Sequence, residues 1–271
     1  MRAWCLIREQ PCYRRDAFTA GLRARGYTVH LGTPTEARPG DLLITWNRYG
    51  TAHELATRFE AQGGTVLVAE NAYLDPARHA HPHSGRQWYA LALHAHNGRG
   101  EWFPGGAARW QSISTALGLE LRPMIDQPQV ETEREHLIAP NRPFGQPGGI
   151  MPADWPERLA AELRCTHPGA RVRIRPHPGN AAPAVPLQAD LANAAALHIW
   201  NSSAGIAALL HGVPVRCHAP WWIGKGWEVI GRDAMFQRLA WSQWHTEEIA
   251  AGEPFRHLLS GARQGEVAQA V

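Results

Sequence analysis

Short apolar runs alternate with amphipathic stretches along the first third of the 271-residue chain. The runs RAWCLI, YTVHL, DLLITW and TVLVAEN have the length and composition of buried strands. The pattern predicts one helix from Asp16, as N-cap, to Arg25. It predicts a second in TAHELATRFEAQGG, where Thr51 and Glu54 form a capping box and two glycines end the helix. Strands separated by helices of this length predict a doubly wound parallel sheet.

The alternation is lost between residues 72 and 130 and then restarts. The stretch QWYALALHAHNGRGEWFPGG predicts long loops and a short helix. Beyond it, EHLIAP, RVRIR, AALHIW and VPVRCHA predict strands. Helices are predicted in PADWPERLAAELR, with Asp154 as N-cap, and in NSSAGIAALLHG from its Asn201 cap, and a helix or turn is predicted around LQADLANA. We therefore expect an α/β protein with two Rossmann-like lobes facing a cleft: residues 1–125, residues 126–245, and a C-terminal tail at 246–271.

Polar residues follow several of the predicted strands, and in open α/β sheets ligands bind beyond the carboxyl ends of strands. Glu70, at the end of TVLVAEN, is the best-placed general base, and His96 in HAHNGRG is the next candidate. A buried ion pair between Glu70 and Arg48 is the structural alternative. The residues that we expect to bind an acceptor are Asn47, Arg48, Asn71 and Asn97.

A second set of polar residues belongs to the C-terminal lobe. In RVRIRPHPGN, two prolines and a glycine stop the strand and hold His177 rigidly at its end. The serines of NSSAG open a short helix whose free N–H groups suit an anion, although capping is the simpler role for Asn201 or Ser202. Together these features predict a nucleotide or phosphate site. Its members are Arg142, Arg175, His177, Asn201, Ser202 and Ser203.

The stretch RIRPHPG … HIWNSSAGIAALLHGVPV resembles the donor-binding lobe of GT-B glycosyltransferases. It is most similar to bacterial sialyl- and polysialyltransferases, capsule Kdo transferases and the related polyol-phosphate polymerases. The resemblance covers roughly residues 135 to 220. It implies a GT-B-like fold in which His177 and Pro178 contact the nucleotide while Ser202 and Ser203 hold its phosphate. It also implies a nucleotide-sugar co-substrate with no cofactor and no metal.

Two further features bear on this resemblance. AENAYL is similar to the short acidic motif that supplies the base in sialyltransferase-like families, which again points to Glu70. Many retaining GT-B enzymes carry a ribose-binding glutamate in the helix before the G-x-P turn, where this chain has Ala207 and Ala208. The donor therefore stays open. A non-catalytic nucleotide-binding protein derived from the same fold is the alternative function.

The acceptor implied by the family is a glycan. The pattern DLLITWNRYG … VLVAEN also resembles uncharacterised bacteriophage-encoded proteins, which adds a hydroxymethylated pyrimidine in DNA as an acceptor. The many arginines and tryptophans suit phosphate contacts and base stacking. A phosphotransferase of the GxxxxGK[ST] type is excluded because that loop is absent from the sequence.

Composition is that of a globular protein, with 44% hydrophobic and 19% charged residues and a net charge of +3. No apolar run approaches the ~20 residues that span a bilayer, and Arg8 and Glu9 interrupt the apolar N-terminus, so we expect no membrane segment, no signal peptide and a cytoplasmic location. In HAHPHSG, the alternating His79, His81 and His83 could ligate a metal, but a solvated loop is the favoured reading.

Overall fold

In the computed structural model the described residues are 1–75, 87–125 and 134–260. They form two compact units. The first unit comprises Met1–Ile113 together with the chain from Phe236 onward, and the second is Ser114–Met235.

The elements of the described residues alternate as the sequence predicts for an α/β protein. In chain order the strands are β1 (Arg2–Cys5), β2 (Thr28–His30), β3 (Leu42–Trp46), β4 (Thr65–Asn71), β5 (Trp88–Leu93), β6 (Glu135–Ala139), β7 (Arg171–Ile174), β8 (Ala194–Ile199), β9 (Val215–Cys217) and β10 (Gln243–His245). The α-helices are α1 (Arg15–Ala24), α2 (Thr51–Ala61), α3 (Ala108–Leu117), α4 (Trp155–Thr166), α5 (Leu187–Ala192), α6 (Ala204–Leu210), α7 (Trp227–Ile230), α8 (Arg232–Ala240), α9 (Thr246–Ala250) and α10 (253–260).

The first unit contains a six-stranded sheet in the order β10-β5-β4-β3-β1-β2. Strands β1 to β4 pair in parallel, whereas β5 runs antiparallel to β4 and β10 antiparallel to β5. The prediction of loops and a short helix at the start of QWYALAL is wrong, because this stretch is β5. Its residues Tyr89 to Leu93 are all buried. A strand covered on both faces has no polar alternation to reveal it.

The second unit contains a parallel four-stranded sheet in the order β7-β6-β8-β9. The chain leaves β6 for β7 on one side and then returns to β8 on the other side of β6. The strand order therefore reverses between β6 and β8, which is where doubly wound sheets bind ligands. The apolar face of α4 covers this sheet, with Trp155, Leu159 and Leu163 packed against Ile138 and Met151.

The helix starts differ in detail from those predicted. In α1, Asp16 is inside the helix and its carboxylate accepts from Arg14, which occupies the N-cap position. The capping box predicted at Thr51 is wrong: Thr51 is the first residue of α2, and Gly50 precedes it with φ +55°. A glycine can adopt this left-handed backbone at low cost, so the helix starts without a side-chain cap. Asp154 does occupy the N-cap position of α4.

The described part of the segment predicted as a tail, residues 246–260, belongs to the first unit. Strand β10 forms the edge of its sheet, and α9 packs against α1. The Gln243 side chain is fully buried and its Oε1 accepts from the Tyr73 backbone N–H at 2.8 Å. The lobe boundaries predicted at 125 and 245 therefore differ from the units that the structure forms. The predicted cleft between the lobes stays a prediction.

Three histidines lie in a hydrogen-bonded row across the second sheet. His136 Nδ1 is 3.1 Å from His198 Nε2, and His198 Nδ1 is 3.2 Å from His218 Nε2. Burial lowers the pKa of His198 to about 3, and the neighbouring His218 and His136 add to this shift. Burial lowers the pKa of His218 as well. The imidazoles of His198 and His218 are therefore neutral at pH 7.

We expect Gly21→Ala to destabilise the first unit. A Cβ atom on Gly21 would lie 1.8 Å from the Ile249 carbonyl oxygen and 2.9 Å from the Phe255 ring. Overpacking of this kind costs ~1–3 kcal/mol, which outweighs the ~1 kcal/mol that alanine gains in helix propensity. Urea unfolding measures the change, with Gly32→Ala as the control, since its Cβ meets nothing within 4 Å. Equal unfolding free energies for the two variants would contradict this packing of α1.

We also expect the histidine row to make the protein less stable in acid. The folded-state pKa of His198 lies below its unfolded value of ~6.5, so its contribution is complete above that pH and is lost as the pH falls towards 3. One such group removes ~2 kcal/mol between pH 6.5 and about pH 5. Urea unfolding at about pH 7.5 and about pH 5 should show a smaller difference for His198→Gln than for the wild type. His53→Gln, a half-exposed control in the first unit, should keep the wild-type difference, and an unchanged difference in His198→Gln would contradict the assignment.

Candidate functional site

In the first unit, the two predicted catalytic residues lie together. Glu70 is near the carboxyl end of β4, and the segment after β5 brings His96 Nε2 to 3.8 Å from Glu70 Oε2. Both side chains are largely buried, at 16% and 12% exposure. The ring of Tyr49 lies beside His96, with 6.4 Å between centroids.

The charge state of His96 decides what this contact is. Burial, together with the positive charge of Arg48, lowers the pKa of His96 to about 4. The imidazole is therefore neutral at pH 7. The Glu70–His96 contact joins a carboxylate to a neutral ring at a distance longer than a hydrogen bond, so it is not a salt bridge.

Two of the predicted acceptor-binding residues lie close to this pair in the chain. Asn71 follows Glu70, and its Oδ1 is buried with no hydrogen bond from the described residues. Asn97 follows His96 in the left-handed region, and its backbone N–H donates to the Tyr73 hydroxyl at 2.9 Å. Buried acceptors are nearly always satisfied, so Asn71 Oδ1 is suited to a water or a ligand hydroxyl. The sequence analysis missed Tyr73, which stands two residues after Asn71.

Asn47 and Arg48 follow β3, but they differ in role. Asn47 is left-handed, with φ +59°, and its N–H donates to the Ala69 carbonyl. Arg48 is buried and pairs with Glu60 of α2 at 2.6 and 2.9 Å. The predicted alternative of a Glu70–Arg48 ion pair is therefore wrong. Arg48 also donates to the His94 carbonyl.

The sequence analysis also missed a carboxylate–imidazole pair at Glu60. Glu60 Oε1 lies 2.9 Å from His94 Nδ1. This hydrogen bond raises the pKa of His94 above its ordinary value, against the effect of burial. No motif in the sequence links the two residues, because the pairing depends on how α2 lies over the strands.

In the second unit, His177 follows β7 as predicted, and one of its ring nitrogens is already used. The Gly179 N–H donates to His177 Nδ1 at 2.9 Å. Burial lowers the pKa of His177, and Arg142 lowers it further, so the ring is neutral at pH 7. Since Nδ1 accepts, the single proton lies on Nε2, which is left as a hydrogen-bond donor.

Arg142 follows β6, the strand next to β7, and approaches His177. The Arg142 Cδ atom and the His177 Nδ1 atom each lie 3.1 Å from the place that a Cβ on Gly179 would occupy. No carboxylate among the described residues pairs with Arg142. Its guanidinium instead lies over the Phe144 ring, 4.3 Å from the centroid. A cation and a neutral N–H donor are thus placed together at the carboxyl edge of the sheet.

Arg175 is part of a buried ion-pair network. Its Nη1 donates to Asp190 Oδ2 at 2.7 Å and to the Val185 carbonyl at 3.2 Å. Arg173 pairs with the other oxygen of Asp190 at 2.6 Å and also with Glu135. Burial lowers the pKa of Arg175, although Asp190 opposes the shift. These ion pairs connect the end of β7 to α5. Donor binding by Arg175 stays a prediction.

The prediction that Asn201 caps α6 is wrong, because the N-cap residue is Ser203. Its Nδ2 donates to the Gly149 carbonyl at 3.2 Å, and its Oδ1 accepts from Asn141 Nδ2 at 2.8 Å. The two amides join the ends of β6 and β8 at the point where the strand order reverses. Helix α6 begins at Ala204 behind the N-cap residue Ser203.

Ser202 takes the capping role that was the alternative in the sequence analysis. Its Oγ accepts from the Ala204 N–H at 3.2 Å, and its carbonyl accepts from Trp222 Nε1 at 2.9 Å. Phosphate binding by Ser202 and Ser203, and the contact of exposed Pro178 with a nucleotide, stay predictions.

In the parts of the chain that the structure describes, no three His, Cys, Asp or Glu residues are grouped as a metal site. His79, His81 and His83 lie outside the described residues. None of the described helices has the length and apolar character needed to cross a membrane.

The fold is of the α/β class that is found in two solved Kdo transferases. It is similar to that of Thermosulfurimonas dismutans KpsC, beta Kdo 2,4 transferase, with a TM-score of 0.56 and 12% identity over 89% of each chain. It is also similar to Thermosulfurimonas dismutans KpsC, beta Kdo 2,7 transferase, with a TM-score of 0.54 and 12% identity over 94% of this chain and 99% of the other. No protein-family description matches the sequence, and no curated protein does. The predicted likeness to Kdo transferases is confirmed for the fold.

We expect Arg175→Ala and His177→Ala to separate the structural residue from the candidate ligand residue. Removing Arg175 leaves the Asp190 carboxylate buried with half its pairing lost, and breaking a buried pair costs ~3 kcal/mol or more. His177 is half-exposed at the surface end of the strand, so its removal should cost ~1 kcal/mol or less. Urea unfolding of both variants checks the order. A greater loss in His177→Ala would mean that this histidine is structural.

Proposed function

We propose that the protein is a glycosyltransferase that moves a sugar from a nucleotide-activated donor to an acceptor hydroxyl. The observation that carries the proposal is the likeness of fold to two Kdo transferases over 89% and 94% of the chain. The RPHPG and NSSAG motifs, which led to the same class from the sequence, support it. The donor is the co-substrate, and the proposal includes no metal and no other cofactor.

The second unit would bind the donor. In the reaction, the bond between the sugar's anomeric carbon and the phosphate oxygen breaks, and its electron pair stays on the phosphate. Arg142 and the Nε2–H of His177 are suited to stabilise that charge, because both are donors at one edge of the sheet. Ser202 and Ser203 would contact the same phosphate through the start of α6.

The first unit would bind the acceptor and supply the base. The acceptor oxygen forms the new bond to the anomeric carbon, and its proton passes to the carboxylate of Glu70. His96 is neutral at pH 7, so it would lie beside Glu70 without adding a positive charge to the site. Asn71 and Asn97 would orient the acceptor. A glycan hydroxyl is the proposed acceptor, and a hydroxymethylated pyrimidine in DNA is tested beside it.

The proposal is tested by nucleotide release. The chain is incubated with nucleotide sugars of CMP, CDP, UDP and GDP, with and without oligosaccharide or hydroxymethylated DNA, in the presence of EDTA. Release of one nucleotide that requires an acceptor is the expected result. A nucleotide that binds tightly without acceptor-dependent release would favour the non-catalytic alternative, and no binding at all would overturn the proposal.

We expect Glu70→Gln to lower turnover ~10²-fold or more while leaving stability nearly unchanged, because the amide keeps the shape but cannot accept a proton. Glu60→Gln is the matched control in the same unit. It weakens the pairing with buried Arg48, so the melting temperature should fall while turnover below that temperature persists. Both quantities are measured on both variants. Wild-type turnover in a folded Glu70→Gln protein would move the base elsewhere, with His96 next to be tested.

A further inference from the structure

The second half of the loop between β6 and α4, residues 146–150, is held in place by hydrogen bonds and packing. The Gly149 carbonyl accepts from both Trp200 Nε1, at 2.9 Å, and Asn201 Nδ2. The Trp221 ring lies against Gly149, where an added Cβ would meet it at 2.6 Å. Gln146 is buried within the same loop. This part of the loop is therefore held by β8 and by the segment after β9, and it has little freedom to collapse onto the surface.

The first half of the loop presents an aromatic ring and a cation to solvent. Phe144 is 46% exposed, although the neighbouring Gln146 is only 7% exposed. The exposed Arg142 lies over the Phe144 ring as a cation–π pair. A single exposed apolar residue is common on protein surfaces. An exposed aromatic ring in contact with a guanidinium that no described carboxylate neutralises is instead suited to bind an anionic ligand with a flat ring.

The stem of the same arginine lies close to His177. The Arg142 stem and the His177 ring flank Gly179, and the neutral His177 offers an Nε2–H donor. Ring, cation and N–H donor thus follow one another at the carboxyl edge where β6 and β7 end. A ligand that matches them has a flat π system at one end and an anionic oxygen group at the other. A nucleotide has this chemistry.

We propose that Phe144 and Arg142 form the nucleobase subsite of the donor. The base packs against the exposed part of the Phe144 ring, Arg142 lies between base and phosphate, and His177 Nε2–H donates to a phosphate oxygen. This assignment rests on the proposed function; it adds Phe144, which the sequence motifs did not indicate, and gives the predicted donor residue Arg142 a definite place. Stacking on an aromatic ring tolerates any base, so Phe144 supplies affinity and leaves base identity to other contacts.

The test is calorimetric binding to the full chain of the nucleotides CMP, CDP, UDP and GDP, with inorganic pyrophosphate as a probe that lacks a base. Loss of base stacking lowers affinity on the order of 10- to 100-fold, so Phe144→Ala should weaken nucleotide binding by that factor. Phe144→Tyr, which keeps the ring, should restore it. Arg142→Ala should weaken nucleotides and pyrophosphate alike. Ile230→Ala removes an equally exposed apolar side chain elsewhere in the second unit and should change nothing.

Each outcome decides the matter. Wild-type nucleotide affinity in Phe144→Ala overturns the subsite and leaves the proposed glycosyltransferase function standing. A Phe144→Ala protein that loses pyrophosphate binding as strongly as nucleotide binding also overturns it, because the ring would then support the phosphate site and not the base. A wild-type chain that binds none of the nucleotides overturns the proposed function together with the subsite.

Discussion

Burying a charged or amide side chain costs free energy unless a partner is buried with it, and this constraint orders the polar residues of both units. In the second unit, Asp190 is shared by Arg173 and Arg175, which fixes the end of β7. In the first unit, Glu60 receives the buried Arg48. Residues that satisfy one another in this way stabilise the framework. The polar groups left over, such as Arg142 and the buried Asn71 Oδ1, are the ones available to a ligand.

The same constraint distinguishes two glutamates that the sequence presents alike. Glu60 and Glu70 each lie beside a histidine, and either could be a base or a structural anion. Glu60 is bound on both oxygens, by Arg48 and by His94, whose pKa it raises. Glu70 instead adjoins His96, a ring whose pKa burial lowers to about 4. Glu60 is therefore a structural anion, whereas the role of Glu70 as base stays a prediction.

Most strands could be predicted because apolar runs bounded by turn residues are a local signal. β5 was missed because its run merges with a histidine- and glycine-rich stretch and has no polar alternation. The capping box at Thr51 failed because Gly50 supplies a left-handed residue before the helix, which the pattern of side chains does not show. The partner of Arg48 could not be predicted, since it depends on how α2 lies over the sheet. The place of His177 was predictable because two prolines mark a strand end. Phe144 could not be predicted, because it lies in a loop with no periodicity, where its ring contacts Arg142.

The return of the chain to the first unit has a consequence for biosynthesis. The Gln243 side chain satisfies the backbone of Tyr73, 170 residues earlier, and β10 completes a sheet whose other strands precede residue 94. The N-terminal strands leave the ribosome first, and the whole second unit leaves it before β10, the strand that pairs with β5. The second unit can therefore complete its sheet during translation, while the first waits with the β5 edge exposed. An unpaired edge strand can pair with another nascent chain, so the first unit is most exposed to aggregation in the interval before residue 243 emerges.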